Sequence, residues 1–321
     1  MNKSPWPAVI ITDENTGEKH QAIAPYIISA SRATDIPAFY GKQFLEAFER
    51  GYVRWINPFS GKVQYVSLGK CRAVVFWTKN PAPFLPYLKE LDRRGLNYYF
   101  QVTLNDYEPE VFEPALPLLK ERIDSLLELS GRIGRDRVLW RFDPLIFTSD
   151  IGVQTLMGRL ERIGERIAAA VCRLTVSFLS PYPSVVRRMR HAGIDFHEPS
   201  LQQIRQTGEG LYGFASRHNL PAFTCAESHS LYQYGIEAAS CIDPVHIART
   251  FPHDAILINF IKDKTGNMLF DDPSMVRRRL KDPGQRPLCG CMVAKDIGRY
   301  GTCSHGCIYC YAQGTKGRYL H

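Results

Sequence analysis

Three cysteines near the end of the chain, Cys303, Cys307 and Cys310, stand in a C-x3-C-x2-C spacing with Gly306 inside it. Thiolates this close on a short loop can converge on one iron–sulfur cube, and Gly306 permits the turn that gathers them. Three thiolates hold three irons of a [4Fe–4S] cube and leave the fourth open. An open iron can take the amino and carboxylate groups of a methionine moiety and pass an electron to its sulfonium. The competing use of thiolates is a closed zinc site, which wants four ligands and would need Cys289 or Cys291 to complete it. The spacing and the strand–helix pattern upstream favour iron and sulfide.

The sequence has nine cysteines, and five of them fall between Cys289 and Cys310. In a reducing compartment disulfides do not explain such a concentration. Cys225, Cys241, Cys289 and Cys291 admit two readings. They are the four ligands of a second, fully ligated [4Fe–4S] cluster that relays electrons or binds substrate. Alternatively, Cys225 and Cys241 are ordinary buried thiols and Cys289-Gly-Cys291 shapes the tail. Cys71 and Cys172 precede strand-like runs, which places them at the far end of those strands as packing residues.

The elements that must position these groups are legible as alternation. Short apolar runs begin near Tyr26, Arg72, Tyr98, Arg137, Arg173 and Pro221, and helix-like stretches with apolar residues at i, i+3 and i+4 separate them. Apolar strands joined through helices imply parallel pairing with helices covering the sheet. Eight such units close a barrel; six imply an α/β fold of the partial (β/α)6, TIM-like kind. It occupies residues 1–240, with a hairpin insertion near 52–68. Residues 241–321 are an extension. Ile242–Phe251 reads as a helix, Ala255–Ile261 as a strand or a buried helix turn. From Lys281 onward Gly, Pro, Cys and Tyr leave no periodicity, so the tail needs a metal or a scaffold to order it.

Ligands of such folds sit at the carboxyl ends of the strands. Those ends supply Arg32 and Asp35, Lys79, Gln101, Arg141 and Asp143, Ser177 and Glu227. Glu227 is the best single candidate for an acid on this rim. His229 beside it is a possible proton carrier or a structural histidine. His305 lies inside the cysteine loop, where it donates to a sulfur or faces solvent.

The C-x3-C-x2-C spacing, with Tyr309 just before the third cysteine, is similar to the signature of the radical SAM superfamily. More narrowly, the chain resembles a bacterial family of uncharacterised proteins whose radical-SAM-like cysteines sit at the C-terminus. Ser29–Pro37, Phe76–Pro81 and the tail from Cys289 to Ala312 carry that resemblance. It implies reductive cleavage of S-adenosylmethionine to a 5′-deoxyadenosyl radical, with an electron donor such as flavodoxin or ferredoxin. Radical SAM enzymes usually carry their cysteines in the loop after the first strand. Here that loop, Arg32–Pro37, has none, and Thr78-Lys79-Asn80-Pro81 replaces the usual Gly-Gly-Glu. A tail folded back onto the strand C-terminal rim would restore the geometry. The cofactor contacts are then sought among Lys79, Arg141, Asp143 and Ser177, with Tyr309 packing on adenine or shielding the cluster.

Forty basic against thirty-two acidic side chains give a net charge of +8. Together with the cysteine tail, this motivates an alternative: a zinc-stabilised nucleic-acid-binding protein without catalysis. Arg187, Arg188, Arg190 and Arg277–Arg279 are its candidate contacts, or merely solvated helix faces. The substrate on the enzymatic reading, a small molecule or a nucleic acid, is not legible. No stretch approaches the ~20 apolar residues that span a bilayer. With no export signal in view, the expectation is a cytoplasmic protein with no membrane partner.

Overall fold

In a computed structural model that describes residues 5–58, 60–265 and 273–313, eight strands form one all-parallel sheet. Residues 1–4 of the expected barrel, Phe59 of the expected hairpin and residues 266–272 and 314–321 of the expected extension lie outside the described residues. In chain order the strands are β1 (Ile27–Ala30), β2 (Ala73–Thr78), β3 (Asn97–Thr103), β4 (Val138–Leu145), β5 (Leu174–Phe178), β6 (Ala222–Thr224), β7 (Glu237–Ala238) and β8 (Lys295–Asp296). Their spatial order is β7-β6-β5-β4-β3-β2-β1-β8. The first seven follow the sequence step by step, as strands linked by returning helices do. The last comes from the cysteine tail, which pairs with the first: Lys295 faces Ile28 and Asp296 faces Ser29. Among the described residues the edge strands β7 and β8 do not pair with each other, so the sheet is open.

Both faces of a parallel sheet must be covered. One face presents Ile28, Val74, Phe76, Phe100, Trp140 and Val176 to the helices Gly41–Arg50, Leu119–Ile133, Val153–Ile167 and Leu201–His218. The alternate residues Ile27, Val75, Tyr99 and Leu139 face the other way, against Ile242, Val245, Leu257, Ile261 and the four cysteines 225, 241, 289 and 291. The segment after β7 therefore covers the second face. Ala255–Thr265 is a helix, not a strand. Its Phe260 stacks on Trp6 and packs on Tyr26, and Asp254 before it accepts from Arg72 Nε (2.9 Å) and Asn97 (2.6 Å). These partners lie at the amino ends of β1 to β3, so the helix closes that end. Cys71 is buried there, its thiol pushed up to about 12 by burial.

The expected hairpin, Tyr52–Ile56 with Val63–Ser67, is antiparallel and belongs to a four-stranded sheet with Ala8–Thr12 and Lys19–Ile23.

One buried group in the covering segment gives an acid-stability signature. Asp243 caps the helix Pro244–Thr250 and pairs with Arg173 (3.3 Å) and Arg277 (3.1 Å). His246 follows it, edge-on to Tyr99, and burial with the nearby Arg173 pushes its imidazole down from 6.5 to about 3. A histidine whose folded value is depressed resists protonation only in the folded state. Its share of stability is therefore complete above about pH 6.5 and is lost as pH falls toward 3, on the order of a few kcal/mol. Thermal unfolding of His246→Gln should show a shallower loss of Tm between pH 6.5 and 4 than the parent; identical acid limbs would refute this role.

Candidate iron–sulfur site

The tail reaches the carboxyl ends of the strands and is tied there at several points. The Asp296 carboxylate accepts from Ser29 Oγ (2.6 Å) and from the Arg32 N–H (2.9 Å). Trp55 Nε1 donates to Gly298 O (3.1 Å), and Tyr311 Oη donates to Arg32 O (2.8 Å). The N–H of Ile308 donates to Phe112 O (3.0 Å). Arg188 donates to the carbonyls of Ile308 and Cys310.

Gly298 is where this docking is tightest. A Cβ there would lie 1.7 Å from Ser31 Oγ and 2.6 Å from Ser31 Cβ. Any side chain must push the tail away from the loop after β1. Gly298→Ala is expected to lower iron bound per chain and to hasten proteolysis within residues 299–312, read by iron assay and limited digestion. Unchanged iron and digestion would show that the close approach is immaterial.

Docking brings Cys303, Cys307 and Cys310 beside Arg32–Pro37. The backbone N–H groups of His305 and Asp35 favour negative charge on the Cys303 sulfur. Burial pushes its thiol up to about 11, with the Asp35 carboxylate adding to the shift. Cys307 is buried and its thiol is raised further by burial, against the pull of the Lys79 ammonium. Cys303 and Cys310 each act electrostatically on Cys307, so the three sulfurs share one neighbourhood. Gly306 takes φ 69°, the left-handed conformation the loop requires.

Beneath the loop lies a buried ionic group that the sequence does not advertise. Lys79 Nζ donates to Glu113 Oε1 (2.7 Å) and to Tyr309 Oη (2.9 Å). Tyr309 donates to Glu113 and accepts from Asn105 Nδ2 (3.2 Å). Arg122, with no exposed surface, stands 3.6 Å from Glu113 Oε2. Tyr309 is thus a buried anchor of the loop, and Lys79 carries a neutralising partner. His305 takes neither expected role. It is buried, and its Nε2 bonds Asp35 Oδ2 (2.8 Å).

The other rim candidates gather around the other cysteines. Arg141 pairs with the Asp143 carboxylate, Ser177 Oγ donates to that carboxylate (3.2 Å), and Arg141 Nη1 lies 2.8 Å from Cys241 Sγ. Glu227 accepts the Phe178 N–H (2.9 Å), and burial, opposed by that bond, pushes its carboxyl up to about 7. His229 is exposed, its ring 6.3 Å from that of Phe178. Asn105 joins the two neighbourhoods, since its Nδ2 also donates to Asp143 O (2.8 Å).

Among the described residues no three His, Cys, Asp or Glu side chains are already drawn around one point as a single metal ion requires. A cube differs, because each thiolate meets its own iron. Three neighbouring cysteines and a nearby ammonium are a donor set that fits an iron–sulfur cluster. A surface depression on the four-stranded sheet, lined by His20, Arg54, Trp55, Lys62 and Tyr65, holds no cysteine. The buried thiols are the stronger pointer to chemistry.

Fold and site together define an α/β protein with a large parallel sheet, onto which a cysteine-rich tail docks as an added strand. The chain belongs to the family described as DUF1848, a domain of unknown function, whose model matches residues 27–312. No curated protein and no solved structure matches it. No helix among the described residues is long and apolar enough to cross a membrane.

Proposed function

We propose that this chain is a radical S-adenosylmethionine enzyme. The parallel sheet serves as a partial (β/α)6 barrel, and Cys303, Cys307 and Cys310 hold a [4Fe–4S] cluster with one open iron. The observation that carries this reading is the contact between the cysteine loop and the loop after β1. The radical SAM pattern puts its cysteines in that loop; here the C-terminal tail brings its cysteine loop against it, with His305 Nε2 bonded to Asp35 Oδ2 (2.8 Å). Bound there, the cluster would supply one electron from a flavodoxin or ferredoxin to S-adenosylmethionine, giving methionine and a 5′-deoxyadenosyl radical that takes a hydrogen atom from substrate.

The chain's own residues have definite parts in this proposal. Lys79 supplies positive charge beside Cys307, and Glu113 keeps that lysine oriented. Tyr309 pins the loop. Thr34 Oγ1, Asn105 Oδ1, Gln101 Oε1 and Thr175 Oγ1 are buried without hydrogen-bond partners. Such atoms are costly unless something satisfies them, and a bound zwitterion would. Arg141, Asp143 and Ser177 form the polar wall beyond them, and Glu227 is the half-buried acid on the same rim.

The nucleic-acid reading draws less support. Arg188 is spent on tail carbonyls and Arg277 on Asp243, so one arginine of each basic cluster serves the fold. Anaerobic protein loaded with iron and sulfide and then reduced should convert S-adenosylmethionine to 5′-deoxyadenosine and methionine. A loaded, reduced preparation that forms neither would overturn the proposal.

A further inference from the structure

Four of the six cysteines outside the C-x3-C-x2-C loop come from three distant segments and meet in the interior. Cys225 follows β6, Cys241 follows β7, and Cys289 and Cys291 precede β8. Cys225 and Cys241 sulfurs lie 3.3 Å apart. Cys241 and Cys291, and Cys291 and Cys289, are close enough to act electrostatically on one another. Each of the four is at least nine-tenths buried, at 7%, 7%, 7% and 1% exposed. They stand against the second face of the sheet, where Tyr99 Oη (2.7 Å) and Gln101 Nε2 (2.8 Å) hold the Cys241 carbonyl.

The surroundings are built for negative sulfur. Arg141 Nη1 is 2.8 Å from Cys241 Sγ, the Arg32 guanidinium acts on Cys291, and the Ile242 N–H points at Cys291 Sγ (3.4 Å). Buried neutral thiols need no such cations; buried thiolates do. The arrangement also discriminates between metals. Structural zinc sites draw on pairs spaced C-x2–4-C, whereas here the only pair close in sequence is C-x-C, and among the described residues no three ligands gather around one point. A cube bonds each sulfur to a different iron. Cys225 and Cys241 would have to part on loading.

We infer that Cys225, Cys241, Cys289 and Cys291 hold a second [4Fe–4S] cluster, ligated at all four irons and flanked by Arg32 and Arg141. With no open iron it does not take S-adenosylmethionine. A hydrogen-bonded path leads from it to the tail loop: Cys241 to Arg141, Arg141 with Asp143, Asp143 to Asn105, and Asn105 to Tyr309 beside Cys310. The inference does not require the tail cysteines to carry out radical chemistry.

The test separates the two sites in the full-length chain. After anaerobic reconstitution the parent should hold about eight irons and as much sulfide per chain, and Cys303→Ala/Cys307→Ala/Cys310→Ala about four. The remaining signal of that triple variant, read by Mössbauer and by electron paramagnetic resonance after reduction, should be a [4Fe–4S] signal that S-adenosylmethionine does not alter. Arg141→Met in the triple background should lower the reduction potential of that signal. The inference is overturned if the parent holds only about four irons and the triple variant none. It is also overturned if the triple variant binds zinc alone, or if Cys225 and Cys241 are found joined as a disulfide in anaerobic protein. Should the triple variant not fold, the parent's iron count and its fraction of spectrum insensitive to S-adenosylmethionine decide the matter alone.

Discussion

Cys307→Ala is expected to abolish formation of 5′-deoxyadenosine while the chain remains folded. Cys307 is the most enclosed of the three tail cysteines, and its sulfur faces Lys79. Without it the loop offers two thiolates, too few to leave a cube with a single open corner. Alanine removes only a sulfur atom from the packing around Tyr309 and Ile308, so circular dichroism should be unchanged. Product should drop to the level of protein without iron. Substantial product from this variant would mean that these cysteines do not hold the reactive cluster.

Glu113→Gln should be the most damaging single change to the fold around the site. Its carboxylate is 3% exposed and faces Lys79 at 2.7 Å and Arg122 at 3.6 Å. Burial alone would raise its pKa, yet Lys79 and Arg122 hold it below the ordinary carboxylate value, so it is ionised at neutral pH. The amide keeps the shape and removes the charge, leaving Lys79 without its carboxylate partner and Arg122 with only the more exposed Glu108 at 3.8 Å. Breaking a buried ion pair in this way costs about 3–5 kcal/mol. Tyr309 also loses its anionic acceptor, so iron retention should fall together with the denaturation midpoint. A urea midpoint within error of the parent would show that these charges do not act as one group.

Much of the fold is legible because its strands are apolar runs followed by helices with a clear stripe. The residues from Val138 to Leu145 and from Val153 to Ile167 show this in sequence, and both form the expected elements. The strands Glu237–Ala238 and Lys295–Asp296 are two residues each, too short for any periodicity to register, though the second fixes the tail. The pairing of the hairpin with Lys19–Ile23, and of that strand with Ala8–Thr12, is equally hidden, since Lys19–Ile23 is mixed in composition and Ala8–Thr12, though apolar, is half exposed.

The site was partly readable for a related reason. Cysteine spacing is a local signal, and it singles out both thiol groups. The ionic group under the loop is a matter of tertiary burial. Glu113, Asn105 and Arg122 look like ordinary loop and helix-surface residues. One clue was present: Arg122 precedes Leu126, Leu129 and Ile133 at helical spacing and therefore lies on the buried stripe of its helix. His305 shows the opposite case, a residue flagged for its place in the loop whose ring is committed to Asp35.

The central claim is that the tail's three thiolates, seated against the loop after β1, hold a reactive cluster. Reducing the anaerobically reconstituted parent in the presence of S-adenosylmethionine, and measuring 5′-deoxyadenosine and methionine against Cys307→Ala, tests it most directly. The account predicts both products in equal amounts from the parent and neither from the variant. Iron-replete, reduced parent that leaves S-adenosylmethionine intact would contradict it.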